Sequence, residues 1–168
     1  MHAKGHMGLS LAIIFSIMSI LRIVDFNSLT TAIFVVVFST IPDIDLNFEI
    51  RHRGPTHNIL AAVIFGLIFG ILFEYSKVGF WMGFVGGFGG TILHLLGDLL
   101  TYQPFAPLAP FCKKEVSLKL FRSSNRLANK FFLNLGSIVF MVYMLFTFTD
   151  AGWTILDTFQ EIMELLRK

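Results

Sequence analysis

Seven histidine and aspartate residues are the part of this sequence that could do chemistry. Imidazole and carboxylate groups bind transition metals and move protons near neutral pH. Two of the histidines lie in one polar string, residues 52–57 (HRGPTH), which separates two long apolar runs. The others lie far upstream and downstream, so only the fold could bring them together. The seven candidates are His6, Asp43, Asp45, His52, His57, His94 and Asp98.

The spacing of the aspartates indicates how they could be used. His94 and Asp98 are four positions apart, which on a helix places both side chains on one face about one turn apart. The two could bind one ion, or Asp98 could orient the imidazole ring. Asp43 and Asp45 follow Pro42, and in an extended stretch their side chains would diverge. Both could then serve one site only if the backbone turns.

Seven candidate ligands exceed the need of a single ion. Zinc with three protein ligands and one water molecule would leave several unused, whereas two ions about 4 Å apart would use nearly all of them. Mixed imidazole and carboxylate groups without thiolate suit zinc, manganese or iron. We therefore predict one or two divalent ions, with zinc as the first expectation. Asp45 or Asp98, if it does not bind metal, would act as the general base.

The polar string also predicts a site for an anion. His57 lies near the start of an apolar segment, and Pro55 suits the first turn of a helix, where its missing N–H costs nothing. The free N–H groups of a helix start favour an anion. The neighbouring Arg53 could bind a phosphate group and stabilise charge in the reaction. A metal, an arginine and a helix start together indicate a phosphate-containing substrate.

The composition predicts that the surrounding elements are membrane spans. Of the 168 residues, 55% are hydrophobic and 14% are charged, against about 25% charged in a soluble domain. A helical span needs about 20 apolar residues, and five segments qualify, of which the second is short. We predict an all-α integral membrane protein that forms a single membrane-embedded domain, 1–168. The predicted spans are 5–24, 28–42, 55–73, 78–100 and 131–148.

The remaining segments add a loop and a tail. A proline-containing, basic loop is predicted at 101–130, and the apolar residues of 153–168 recur at helical spacing, which indicates an amphipathic helix in the membrane interface. Glycines are frequent in the fourth apolar segment, where they would let neighbouring helices approach closely. Cys112 is the single cysteine, so no internal disulfide can form. A net charge of +2 gives no reason to expect nucleic acid as a partner.

The basic residues predict the orientation in the membrane. With five spans, nine lysines and arginines fall on the side of the N-terminus, and four fall on the other side. The positive-inside rule then places the first side in the cytoplasm, and every candidate ligand lies at a span end on that side. The nine are Lys4, Arg51, Arg53, Lys113, Lys114, Lys119, Arg122, Arg126 and Lys130, and the four are Arg22, Lys77, Arg167 and Lys168.

Four motifs in this order resemble a known family. They are GH at 5–6, PDID at 42–45, HRGxTH at 52–57 and HxxxDxLT at 94–101. This order is similar to that of the predicted membrane-bound metal-dependent hydrolases, also described as LexA-binding, inner-membrane-associated hydrolases. The resemblance covers residues 1 to about 125. It implies a hydrolase with a divalent-metal site, gives ligand status to all seven candidates, and points to phosphoester bonds.

Two functions are therefore open. The first is a hydrolase of the cytoplasmic membrane that cleaves a phosphoester in a lipid or lipid-linked substrate with metal-activated water, with membrane lipids as its surroundings. The second is a metal-binding membrane protein without enzymatic activity, acting in sensing, partner recruitment or transport. A transporter would be expected to carry its ionisable residues near the bilayer midplane, whereas here they gather at one end of the spans. The oligomeric state is not predicted.

Overall fold

Five α-helices and one 3-10 helix are defined in the part of the chain that the structure describes. The structure, a computed structural model, describes residues 1–47 and 53–149, and beyond these Thr154, Asp157, Thr158, 161–163 and 165–167. Among these residues no β-strand is present, so the predicted all-α class is confirmed. The elements are α1 (Ala3–Ile20), α2 (Phe26–Phe38), the 3-10 helix (Ile41–Asn47), α3 (Ile59–Tyr75), α4 (Phe80–Leu99) and α5 (Arg126–Phe148).

Four of the apolar helical stretches are long enough to cross a membrane. These are α1, α4, α5 and the 20-residue stretch Phe26–Asp45, in which the 3-10 helix continues α2. The remaining apolar stretch is α3, whose 17 residues span about 26 Å against a hydrocarbon core of about 30 Å, whereas α2 reaches 20 residues only together with the 3-10 helix. The prediction of five apolar segments with one short is confirmed in number. The short segment is α3, however, and not the second one.

Two predicted segment boundaries were wrong. α3 begins at Ile59 and not at Pro55, because the side chain of Asn58 caps the helix by accepting a hydrogen bond from the backbone N–H of Ala61. Pro55 and His57 therefore lie in the turn that precedes the helix. α5 begins at Arg126, where Asn125 caps it, so the predicted basic loop ends five residues earlier than expected. Two isolated β-bridges order that loop.

Glycines on α4 let the neighbouring helices approach closely, as predicted. A Cβ atom on Gly87 would lie 2.8 Å from the carbonyl oxygen of Phe65 in α3. A Cβ atom on Gly90 would lie 2.7 Å from the carbonyl carbon of Phe38 at the end of α2. Larger residues at these positions would push α2 and α3 away from α4. α4 thus lies between α2 and α3, and α1 packs along α5.

The predicted amphipathic tail falls partly outside the described residues. Trp153, Ile155, Leu156, Phe159, Glu164 and Lys168 belong to that part of the sequence. The described tail residues through 166 are helical, and they are exposed. Asp157 accepts a hydrogen bond from Nη2 of Arg22 at 2.9 Å, which ties the tail to the end of α1. The interfacial location of the tail stays a prediction.

Candidate metal centre

Five of the seven candidate ligands meet where different elements begin or end. His6 lies in the first turn of α1, Asp43 in the 3-10 helix, and His57 in the turn before α3. His94 and Asp98 lie in the last two turns of α4. All are buried except the side chain of Asp43, which is 15% exposed. His52, the sixth, lies outside the described residues, and Asp45 has a separate place described below.

The ligand atoms have the spacing that a shared ion requires. Nε2 of His57 and Nε2 of His94 are 3.1 Å apart. Oδ1 of Asp43 lies 3.6 Å from the first nitrogen and 3.5 Å from the second. Oδ2 of Asp98 lies 3.5 and 3.7 Å from the same two atoms. Ligands that surround zinc tetrahedrally at about 2.1 Å are themselves about 3.4 Å apart.

Two overlapping groups of three side chains have ligand atoms close enough to hold an ion. Asp43 and His57 form one group with His94, and His6 and Asp98 form the other with the same histidine. Within each group the ligand atoms lie within 4.8 Å of one another. The ring of His6 stacks on that of His94, with centroids 3.8 Å apart. His94 is therefore the centre of the site.

Several of these atoms have no hydrogen-bond partner although they are buried. Both ring nitrogens of His6 and Oδ2 of Asp98 are in this state. Buried polar groups without partners are uncommon in native proteins and call for an explanation such as a bound ion. A divalent cation would satisfy the unprotonated ring nitrogen of His6 and the carboxylate oxygen of Asp98 together. By this test the residues fit a metal ion.

Hydrogen bonds on the far side of each ring leave the facing nitrogens available as ligands. Nδ1 of His94 donates to the backbone oxygen of Ser39 at 2.8 Å, which leaves Nε2 unprotonated. Thr56 donates its single hydroxyl hydrogen to Oδ2 of Asp45 at 2.9 Å, so Nδ1 of His57 donates to Thr56 at 2.8 Å. Nε2 of His57 is then also unprotonated. Burial lowers the pKa of His57 as well, which favours this neutral form.

Asp43 and Asp45 lie on opposite sides of His57. Asp43 faces Nε2, whereas Oδ2 of Asp45 lies 3.4 Å from Nδ1. The expected divergence of the two aspartates is thus found even though the backbone turns. Asp45 is outside both ligand groups, and its position suits a carboxylate that orients a histidine. Its predicted ligand or base role stays a prediction.

Arg53 fixes Asp98 in place. Nη2 of Arg53 donates to Oδ1 of Asp98 at 2.7 Å and to Thr101 at 2.9 Å, and Nη1 donates to the carbonyl oxygen of Gln103. The amino group of Met1 donates to the same Oδ1 at 2.6 Å. Oδ1 is therefore engaged, and Oδ2 remains for the metal. Arg53 has a positive φ of 62°, a strained conformation that is concentrated at functional sites.

The sequence reasoning missed the residues that position the ligands. Ser39 acts through its backbone, and its side chain type carried no signal. Thr56 lies inside the recognised HRGxTH string, and that string could have drawn attention to it. Gly97 makes room for His6, because a Cβ atom at this position would lie 2.7 Å from Nδ1 of that ring. Its position one residue before Asp98 is the sequence feature that could have identified it as part of the site.

Comparison with known proteins identifies the family to which the chain belongs. The family model described as the YdjM inner membrane protein matches residues 1–156. No match was found among curated proteins or among solved structures. The match covers all the candidate ligands and confirms both the resemblance carried by the four motifs and the membrane location. The chain belongs to the YdjM inner membrane protein family.

Proposed function

We propose that this protein is a metal-dependent hydrolase that cleaves a phosphoester in a lipid or lipid-linked substrate. The observation that carries the proposal is the convergence of unpartnered, buried ligand atoms around His94, beside a buried arginine. A divalent ion bound there supplies a Lewis acid that polarises a phosphoryl oxygen and lowers the pKa of water. The ends of apolar helices form the site, which favours a substrate held in the membrane.

The side chains of the site would divide the remaining work. Arg53 places a fixed positive charge beside Asp98, where it would stabilise negative charge that develops on a phosphoryl group. Asp43 is the partly exposed carboxylate among the five gathered ligands, so it is best placed to accept a proton from a water molecule. Asp45 would hold His57 in the ligand-competent tautomer through Thr56. The excess of basic residues on this side supports a cytoplasmic site.

The donor count favours one ion. His94 offers a single nitrogen because its other nitrogen bonds to Ser39, and Asp98 offers a single oxygen for the reason given above. The described residues therefore supply at most five donors, one each from His6, Asp43, His57, His94 and Asp98, and four when Asp43 acts as the base. Five donors are enough for one ion but too few for two fully coordinated ones. Two ions would need donors from outside these residues, such as His52.

Metal content is the first test. Elemental analysis of the detergent-purified protein should find about one equivalent of zinc, manganese or iron. The double variant His57→Ala, His94→Ala should lose it, and the variant His2→Ala should keep it, because His2 is exposed and outside both groups. Absence of metal from the native protein, even after incubation with each of these ions, would refute the proposal.

Hydrolysis is the second test, and it separates the enzyme from a metal-binding protein without activity. The metal-loaded protein should hydrolyse bis(4-nitrophenyl) phosphate or an anionic phospholipid. At saturating metal, the variant Arg53→Gln should lose about 10²–10³ in kcat, as expected when a group that stabilises transition-state charge is removed. A protein that binds metal and hydrolyses neither substrate would favour sensing or partner recruitment instead.

A further inference from the structure

A cavity next to the metal centre combines an apolar wall with charged groups. Its volume is about 490 Å³, and it lies between the start of α3 and the loop around residues 106–115. The apolar wall comes from Leu60, Ala61 and Ile64 of α3, and Arg53 and Lys113 are its cations. Glu115 is the carboxylate among the described residues that line it. This combination fits an amphiphilic molecule with a negatively charged end.

Arg53 connects the cavity to the metal centre. The residue is 7% exposed, and its guanidinium group donates through Nη2 to Asp98 while it also lines the cavity. Its Nε atom is buried and has no hydrogen-bond partner. An unpartnered N–H of a guanidinium is a strong donor, and a phosphate oxygen is the acceptor that it binds best. The charged end of a ligand therefore belongs beside Arg53.

The apolar wall lies on the exposed side of α3. Leu60 is 38% exposed and Ile64 is 46% exposed, and both lie on a helix that is apolar throughout. A second cavity of about 330 Å³ shares Leu60 and Ala109 with the first and is lined by apolar residues and Cys112. Two adjoining cavities with apolar walls, which share Leu60 and Ala109, match a lipid with two acyl chains. A free phosphate ion would make no use of either apolar wall.

We propose that the two cavities bind the acyl chains of an anionic phospholipid, and that the Arg53 side chain, which lines the first cavity, pairs with its phosphate group. The proposal rests on the function proposed above only in treating this lipid as the substrate, since binding itself requires no catalysis. It deepens that function by assigning chain recognition to Leu60, Ile64 and Ala109. Since Arg53 also contacts Asp98, the phosphate would lie beside the metal ligands.

The test compares two tryptophan variants on one helix face. Ile64 lines the first cavity, whereas Ile68, one turn further and also 46% exposed, lines neither cavity. We would measure the binding of dioleoyl phosphatidylglycerol and of its dihexanoyl analogue to the detergent-solubilised protein by native mass spectrometry. Ile64→Trp should weaken binding of the long-chain lipid about tenfold and that of the short-chain lipid much less. Ile68→Trp should change neither.

A second variant, on a different element, keeps the test decisive if Ile64→Trp fails to fold. Ala109→Leu fills the shared wall from the loop side, and it should reproduce the selective loss of the long-chain lipid. Equal binding of the long-chain lipid by the native protein, Ile64→Trp and Ala109→Leu would overturn the proposal. Because binding is measured without turnover, this failure is distinct from a failure of hydrolysis. If the native protein binds the lipid with this selectivity but does not cleave it, the proposed lipid site stands and the proposed enzymatic function is refuted.

Discussion

The substitution Gly97→Ala tests whether the position of His6 defines the metal centre. Gly97 lies on α4 beside Asp98, and a Cβ atom there would lie 2.7 Å from Nδ1 and 3.0 Å from Cε1 of His6. Ordinary contacts of a Cβ atom begin near 3.4 Å. The His6 ring cannot simply turn away, because it is fully buried and stacks on His94 at 3.8 Å. The ring would have to move by about 0.7 Å or more to restore normal contact.

A displacement of this size is large for a metal ligand. Metal–nitrogen distances are fixed to within about 0.2 Å, and disturbing a group that orients a ligand commonly costs 10–100-fold in affinity. We therefore expect Gly97→Ala to weaken zinc binding about 10–100-fold. The assay is competition with a chromogenic chelator in detergent solution, with thermal unfolding of the metal-free protein measured in parallel.

Gly89→Ala is the matched control on the same helix. A Cβ atom at Gly89 would lie 3.2 Å from Cγ2 of Val35, which is the end of a side chain rather than a ring packed inside the site. The two variants make the same change in helix propensity. If the zinc affinity of the Gly97→Ala variant lies within twofold of that of the Gly89→Ala variant, the claim that His6 belongs to the metal centre is refuted.

Three further predictions concern the groups around the site and the fold that carries it. Thr56→Val should lower metal affinity about tenfold in the same chelator competition, because it removes the hydroxyl that joins Asp45 to His57. Tyr143→Phe should destabilise the protein by about 1 kcal/mol in thermal or denaturant unfolding without changing metal content, since only its bond to the carbonyl of Ile23 is lost. Free metal at 100 times its Kd should stabilise the native protein by about 2.7 kcal/mol in the same unfolding assay. That stabilisation should vanish in the double histidine variant.

Much of this arrangement could be predicted because it depends on local properties of the sequence. Apolar length alone located five segments, and the residue types at their ends identified His6, His57, His94 and Asp98 as neighbours. Antiparallel helices necessarily bring alternate ends to the same face, so no knowledge of side-chain packing was needed. The pairing of His94 with Asp98 followed from helical spacing.

The exact ends of the helices and the roles of the aspartates could not be predicted in the same way. Pro55 was expected in a helix, but Asn58 provides the better cap, and the choice between them depends on contacts with the loop: the N–H of Ile59 bonds to the carbonyl of Pro107. Asp45 was counted with the ligands for its residue type and its place in the PDID motif, and neither property indicates which side of the His57 ring it faces. Which side it faces depends on the turn around Thr56.

The spacing of Gly90 and His94 on α4 links close helix packing to metal binding. Gly90 and His94 are four positions apart and therefore share a face of the helix. A Cβ atom at Gly90 would lie 2.8 Å from the backbone nitrogen of Ser39, so α2 can approach this closely only because a glycine is present. That approach brings the carbonyl of Ser39 to Nδ1 of His94 and fixes the nitrogen that faces the metal. The glycines of α4 thus act at the metal centre as well as between the helices.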